Sequence, residues 1–448
     1  MEIVLSKKHT IIRGTLILTS VGFLCRIMGF FYRIFLSHTF GEEGVGLYQL
    51  VFPVFAFALS FTCAGLETAI SRTVARKVSL HKQNEAREIL LLGIMISSVT
   101  SFLSLLLVQK YASPLSIYLL GDARCELLLV IFSYALPFAS IHCCVMGYCY
   151  GLKQTKIPAI SQLIEQISRI LCVFVLYYIF SKKLTNIPIA IAAIGLVFGE
   201  FISTIYALQA LQKQNTTILY PFPNFLTLKL RIRELIPLSL PLTANRVVLN
   251  LLQSIEAVSI PGSLKLYNHS TAEALRIYGV LTGMALPCIL FPSAITSSIS
   301  IMLMPTVAEI QAVCDFKKLQ NLLHKVLSTC FLLGLFCCLF FLIFGKIIGR
   351  LLFDSALAGD FLITLSWICP FLYVNSSLQS VINGLGKTSS TFFINMLGLF
   401  IRIGSVFFAI PSFGIKGYLW GLLISQLSIC LFSGILLWKY LYSSLNTK

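Results

Sequence analysis

The chain has 448 residues, 57% of them hydrophobic and only 11% charged, with a formal net charge of +17. A soluble protein of this length carries roughly a quarter charged residues, so composition excludes a soluble globular enzyme and predicts an all-α polytopic membrane protein. The basic residues are spread between apolar runs, with no stretch able to track a phosphate backbone, so nucleic acid is set aside as a partner.

About 20 apolar residues cross the hydrocarbon core of a bilayer. In chain order such runs predict spans over 11–36, 47–70, 88–109, 125–150, 158–180, 187–211, 233–260, 276–303, 322–345, 360–383, 390–411 and 414–440, about twelve transmembrane helices. Lys7, Lys8 and Arg13 precede the first run as in a signal peptide, but Arg26 interrupts it and no small-x-small site follows, so it reads as an uncleaved span. Of the 34 Lys and Arg residues, 20 fall in segments that are cytoplasmic if the N-terminus is inside, and 9 fall in outer loops. The remaining five are arginines within spans. That bias predicts a cell-membrane protein with both termini cytoplasmic. The 14 cysteines lie mostly in apolar runs without C-x-x-C or zinc spacing, so they read as small apolar fillers and no metal is expected.

A charge at the bilayer centre costs roughly 2.5–3.5 kcal/mol even on an insertion scale. Five arginines facing lipid would cost on the order of 12–17 kcal/mol in sum, so they must pair, snorkel or face water. On the first span Gly22, Arg26, Gly29 and Arg33 fall within about 60° of one another, with the arginines about 10.5 Å apart along the axis. Arg26 and Arg33 are therefore candidate cavity cations, with snorkelling the alternative for Arg33. On the fifth span Glu165 and Arg169 stand four apart, in the favourable order for a helical ion pair, and read as a structural pair. Glu200 follows the G-x-x-x-G of 195–199, a close-packing motif, and a structural role is the simpler reading.

Shifting the chain by 233 residues brings its halves into one register. Thr73-Val74-Ala75 falls on Thr306-Val307-Ala308, "SYALPF" (133–138) on "SWICPF" (366–371), Gly151-Leu152 on Gly384-Leu385, and Arg169-Ile170 on Arg402-Ile403. After a length change, Gly195, Gly199, Ile202 and Ser203 fall on Gly417, Gly421, Ile424 and Ser425. Six spans per half predict two six-helix bundles inserted in the same sense, 1–212 and 233–448, joined by a cytoplasmic linker over 213–232.

The seventh span, "LTANRVVLNLLQSIEAV", places Arg246, Asn250 and Gln253 on one face and Glu256 about 80° away. It opens the second half as the first span opens the first, so Arg246, Asn250 and Gln253 join the cavity candidates. Arg402, repeat mate of Arg169, has Gly398 where an acid would pair with it, and needs either a partner from elsewhere or an anionic ligand. Glu67 and Glu256 are candidates for coupling to Na+ or H+, with counter-ion to an arginine as the alternative. Prolines inside spans, among them Pro53, Pro137, Pro287 and Pro370, predict kinks.

An arginine-lined cavity attracts an anion, and the guanidinium fork suits phosphate or pyrophosphate. No Walker A, G-x-S-x-G or H-E-x-x-H motif is present, and neither enzymatic activity nor a cofactor is expected. The stretches "RIMGFFYRIFLSHTFGEEGVGLYQLVFPVFAF", "CAGLETAISRTVARK" and "RIYGVLTGMALP" together resemble the stage V sporulation protein B family. That family belongs to the multidrug/oligosaccharidyl-lipid/polysaccharide exporter superfamily, alongside the lipid II flippases. The resemblance spans essentially the whole chain. It implies a V-shaped pair of six-helix bundles that flips a polyprenyl-pyrophosphate-linked saccharide, a peptidoglycan precursor for cell wall or spore cortex, across the membrane by alternating access. It also implies that Arg26 and Arg33 match basic first-span positions, Arg246 a cavity cation, and Glu256 an acidic position late in the seventh span. Glu67 departs from the family's pattern, which has proline there. The expected partners are a lipid-linked saccharide and membrane lipids. The alternatives are an exporter of another saccharide or small molecule, and a non-transporting assembly factor bound to cell-wall synthesis enzymes.

Overall fold

The computed structural model describes residues 2–182, 188–213, 225–312 and 316–446. Lys183 and the central part of the sequence-read linker, 214–224, lie outside the described residues. Every described element is helical. Among the described residues, ten helices are long and apolar enough to cross a membrane. The first runs unbroken in hydrogen bonding through Glu2–Leu59 (α1), yet Gly41 inside it has φ 69° and ψ 177°, which divides it into two arms. A further pair, Ala356–Ser366 (α12) and Cys369–Gly384 (α13), is bent by 57° and forms one more span. With that pair counted as one span, the described residues supply up to eleven candidate crossings, against the twelve expected.

The chain divides into two compact units that are not simple sequence halves. The first unit holds Met1–Tyr32 and Leu47–Ser254, and the second holds Arg33–Gly46 and Ile255–Lys448. In the first, Gly65–Ser79 (α2), Gln83–Lys110 (α3), Cys125–Ser133 (α4), Ala135–Gly151 (α5), Lys156–Ser181 (α6) and Ala190–Lys213 (α7) follow the N-terminal arm of α1. They are joined by most of the long helix Phe225–Leu266 (α8). Lys229 and Arg231, read in the sequence as linker, are already on α8. The core of this unit gathers Leu66, Ile70 and Val74 of α2, Ile89 of α3, Cys144 and Tyr148 of α5, Leu211 of α7 and Leu235 of α8.

Polar ties hold the base of α8 to this unit. Lys77 Nζ sits 2.7 Å from Glu85 Oε2 and 2.8 Å from Glu234 Oε1. Arg231 Nε donates to Glu88 Oε2 at 2.8 Å, and its Nη1 lies 3.0 Å from Glu85 Oε2.

The second unit contains Thr271–Gly279 (α9), Ser293–Ala312 (α10), Phe316–Phe353 (α11), α12, α13, Thr388–Gly404 (α14) and Ile415–Asn446 (α15). Its core includes Val307 of α10, Leu319 and Cys330 of α11, Val381 of α13 and Leu437 of α15. Along α11, Phe336, Leu339, Ile343, Ile347 and Leu351 form an exposed stripe at helical spacing. Such a continuous apolar face suits lipid, not water. Three of the prolines fall where helices restart, Pro370 opening α13, Pro287 opening Leu286–Leu290 and Pro137 in the first turn of α5, whereas Pro53 stays inside α1 and Pro237 and Pro241 inside α8. A first turn is where a missing N–H costs least.

The 233-residue repeat is visible in packing. A Cβ at Gly151 would lie 2.8 Å from Ser71 O, and one at its mate Gly384 would lie 2.7 Å from Met304 O, the mate of Ser71 O. Cys144 Sγ meets Ser97 Oγ at 3.3 Å, and the mates of these residues, Ser377 and Cys330, meet at 3.2 Å with the side chains exchanged. Segment 33–46 is fastened into the second unit at several points. Arg33 Nη1 donates to Thr282 O at 3.5 Å, His38 Nε2 lies 2.9 Å from Leu352 O, and Arg276 Nε lies 2.9 Å from Glu42 Oε2. Gly46 and Gly279 pack backbone to backbone, a Cβ on Gly279 lying only 2.7 Å from Gly46 Cα.

Candidate functional site

In the second unit, α8, α14 and α15 meet at Glu256. Its side chain is 6% exposed. Arg402 Nη2 approaches Glu256 Oε2 to 3.2 Å, and Tyr418 Oη donates to Oε1 at 2.7 Å. The acid that Arg402 lacks on its own helix is thus supplied by the seventh span, and the carboxylate has both a cation and a hydroxyl donor. Burial of either charge alone would be costly, and the pair removes that cost only because both oxygens are occupied. Arg33, half-buried, reaches the carbonyl of Thr282 in the π-helical turn Val280–Ala285, where the regular ladder is interrupted.

In the first unit the sequence candidates fall into two sets. Arg26, Arg246 and Gln253 are exposed and Asn250 is half-buried. The roughly 80° between Glu256 and the Arg246 face therefore separates an exposed polar stripe in the first unit from a buried acid in the second. Glu67 is half-buried and interacts electrostatically with Arg246 and His142. Gly147 packs onto its backbone, a Cβ there lying 3.1 Å from Glu67 Cα.

The second set surrounds Glu165 and Arg169, which form the ion pair expected from their spacing. Gly195 and Gly199 of α7 pack against the backbone of this stretch of α6. A Cβ at Gly199 would lie 2.8 Å from Glu165 O, and one at Gly195 would lie 3.0 Å from Arg169 O. That close approach brings Glu200 beside the pair. From α5, His142 Nδ1 lies 3.8 Å from Glu200 Oε2, while its Nε2 lies 2.6 Å from Ser161 Oγ. One ligand atom each from His142, Glu165 and Glu200 lie within 4.8 Å of one another, the spacing of a cation site. Sequence reading missed His142, a lone histidine in an apolar run. The repeat carried the signal: residue 142 falls on Asn375, a buried residue that also crosses to the last span of its half, donating to Gln426 Oε1 at 2.8 Å.

Residues 11–311 match the family model described as "Polysaccharide biosynthesis protein". The chain belongs to the polysaccharide biosynthesis protein family. Within this family's range lie Arg26, Arg33, Arg246 and Glu256, and the whole histidine–carboxylate group of the first unit. Along nearly its full length the chain is similar to the Stage V sporulation protein B of Bacillus subtilis (strain 168), with 27% identity over 98% of this chain and 86% of that protein. The Lipid II flippase MurJ of the same organism is 22% identical over 71% of this chain and 61% of that one. Among solved structures, "Lipid II flippase MurJ, inward closed conformation" superposes with a TM-score of 0.73 at 15% identity, covering 93% of this chain and 86% of that one. An inward-facing multidrug resistance MATE family transporter of the MOP superfamily gives 0.72 at 12% identity, over 97% and 99%. These likenesses establish the fold, and with its long apolar helices the chain is a multi-pass membrane protein.

Proposed function

We propose that this protein is a transporter that flips a polyprenyl-pyrophosphate-linked saccharide, a peptidoglycan precursor, from the cytoplasmic to the outer leaflet. The observation that carries the reading is the pair of exposed guanidinium groups, Arg26 and Arg246, on apolar membrane helices of the first unit in a chain of this family. Exposed arginine in a membrane helix needs water or an anion, and pyrophosphate offers oxygens that match the planar fork. Asn250 and Gln253 follow Arg246 on the same helix and supply neutral donors and acceptors for the sugar. Inside the second unit Arg33 donates to the Thr282 carbonyl and Arg402 pairs with Glu256. Coupling to Na+ or H+ acts through carboxylates, with Glu67 and Glu256 as the first candidates. Both termini are cytoplasmic in this reading, and the transporter needs no cofactor. The names of the relatives, a flippase and a sporulation protein, support the substrate class and the setting.

The test is headgroup translocation of a labelled polyprenyl-pyrophosphate disaccharide in proteoliposomes, comparing wild type with Arg26→Ala/Arg246→Ala at matched folding. A charge-assisted hydrogen bond is worth roughly 1.5–3 kcal/mol, so the double variant is expected to flip at least about tenfold more slowly. Equal rates in both proteins would make the arginines structural. No flipping by well-folded wild type would move weight to an exporter of another saccharide, or to an assembly factor for wall-synthesis enzymes.

A further inference from the structure

We propose that one end of the first unit, where α2 meets the turn between α5 and α6, binds the phosphate headgroup of an anionic phospholipid through Arg72, Arg76, Lys153 and Lys156. The α6 helix fixes the level of this surface in the bilayer. Ile160, Ile167, Leu171, Phe174 and Tyr178 form an exposed apolar stripe at helical spacing, and exposed Lys156 and Lys182 close it at its two ends. Lys182 Nζ donates to Tyr178 Oη at 2.8 Å and lies 4.2 Å from the centroid of that ring. The two lysines are 26 positions apart, about 39 Å along a helix axis. That length covers a hydrocarbon core of about 30 Å with a headgroup layer on either side, so Lys156 stands among headgroups with acyl chains against the stripe below it.

Packing brings the other cations to the same level. A Cβ at Gly151 would lie 2.8 Å from both Ser71 O and Val74 Cβ, so the turn with Lys153 sits on the stretch of α2 with Arg72 and Arg76. All four cations are exposed. The carboxylates of the α2–α3 turn and of the base of α8 face inward instead. Glu85 and Glu234 hold Lys77, and Glu85 and Glu88 hold Arg231, both cations being largely buried. Arg76 reaches only the edge of this network, 3.9 Å from Glu234 Oε2. With the acids turned in and the cations turned out, the surface is complementary to phosphate.

The repeat separates this surface from a general preference for cations on one side of a membrane. At the positions matching Arg72, Arg76, Lys153 and Lys156 the second unit has Pro305, Glu309, Gly386 and Ser389. It carries lysines of its own nearby, at 317, 318 and 325, so a general charge bias is met there without these four positions. Lys153 makes the point most directly. Its φ is 60° and that of its mate Gly386 is 77°. This left-handed region favours glycine, yet the first unit keeps a lysine in it. The surface is independent of what the protein transports.

Native mass spectrometry of the full-length protein in a neutral detergent, titrated with phosphatidylglycerol or phosphatidylcholine, tests the proposal. Wild type is expected to retain phosphatidylglycerol in preference. Arg72→Gln/Arg76→Gln/Lys153→Gln/Lys156→Gln is expected to lose at least about tenfold of that preference. Arg76→Glu/Lys156→Ser installs the second unit's residues at two exposed positions and should lose it in the same direction, which keeps the test decisive should the fourfold variant not fold. Lys317→Gln/Lys318→Gln/Lys325→Gln should leave the preference unchanged. Equal retention of both lipids by wild type, an unchanged preference in Arg76→Glu/Lys156→Ser, or an equal loss in the second-unit variant would each overturn the proposal. Displacement of phosphatidylglycerol by polyglutamate at equal charge would also overturn it, and would assign the surface to an acidic protein.

Discussion

Arg402 carries the clearest consequence at the scale of single residues. Its partner is Glu256, 162 residues from Tyr418 in sequence and bonded to both. Removing one member of a buried ion pair leaves the other uncompensated and typically costs about 3–5 kcal/mol. Arg402→Gln should therefore destabilise the second unit by roughly that amount, since Glu256 keeps its charge with only Tyr418 to meet it. Adding Glu256→Gln to Arg402→Gln should recover much of the loss. Thermal unfolding in detergent of the two singles and the double closes the cycle, and strict additivity would show that the two charges do not depend on each other. The sequence showed that Arg402 lacks a helical partner, because Gly398 occupies the place. It could not show which distant acid fills the gap, since that depends on how α8 and α14 pack.

Among elements, the junction between the first two spans is the most constrained. Gly41 at φ 69° and ψ 177° occupies a backbone region that side chains with a Cβ avoid. Five residues on, Gly46 crosses Gly279 with main chain against main chain. Gly41→Ala should cost about 1–3 kcal/mol through strain, and Gly279→Val about 1–3 kcal/mol or more through overpacking. Glycines at 22, 262 and 434, where a Cβ would meet nothing within 4 Å, should tolerate alanine in the same unfolding assay. Comparable losses at both kinds of position would show that the Gly46–Gly279 crossing does not set the packing. The acidic "FGEEG" stretch falls between the first two spans expected from sequence, 11–36 and 47–70. In the folded chain it is a helix broken at one residue, because Glu42 has Arg276 to pair with and the carbonyls continue the ladder.

At the scale of the whole molecule, the two units follow the repeat in packing detail but not in chain boundaries. Residues 33–46 belong to the second unit and most of α8 to the first, so each unit includes a piece contributed by the other sequence half. The orientation expected from charge bias has a direct test. Every described cysteine is buried or half-buried, so an introduced surface cysteine should dominate labelling by a membrane-impermeant maleimide. In intact cells Tyr118→Cys should label and Lys82→Cys should label only after permeabilisation. The reverse pattern would invert the topology.

What the sequence determined by itself was set by short-range, one-dimensional physics. Apolar runs long enough for a bilayer, the distribution of Lys and Arg, the four-residue spacing of Glu165 and Arg169, and a repeat register all depend on neighbours along the chain. So the membrane class, the succession of apolar crossings and the helical ion pair were legible. Tertiary structure alone decided which polar groups meet: Arg402 and Tyr418 with Glu256, Arg33 with the Thr282 carbonyl, and His142 with Glu200. Helix rotation and axial offset are fixed by close contacts such as Gly199 on Glu165 and Gly46 on Gly279, and a shift of one turn would change every such pairing. Within a membrane, where an unmatched charge is costly, those contacts select the partner.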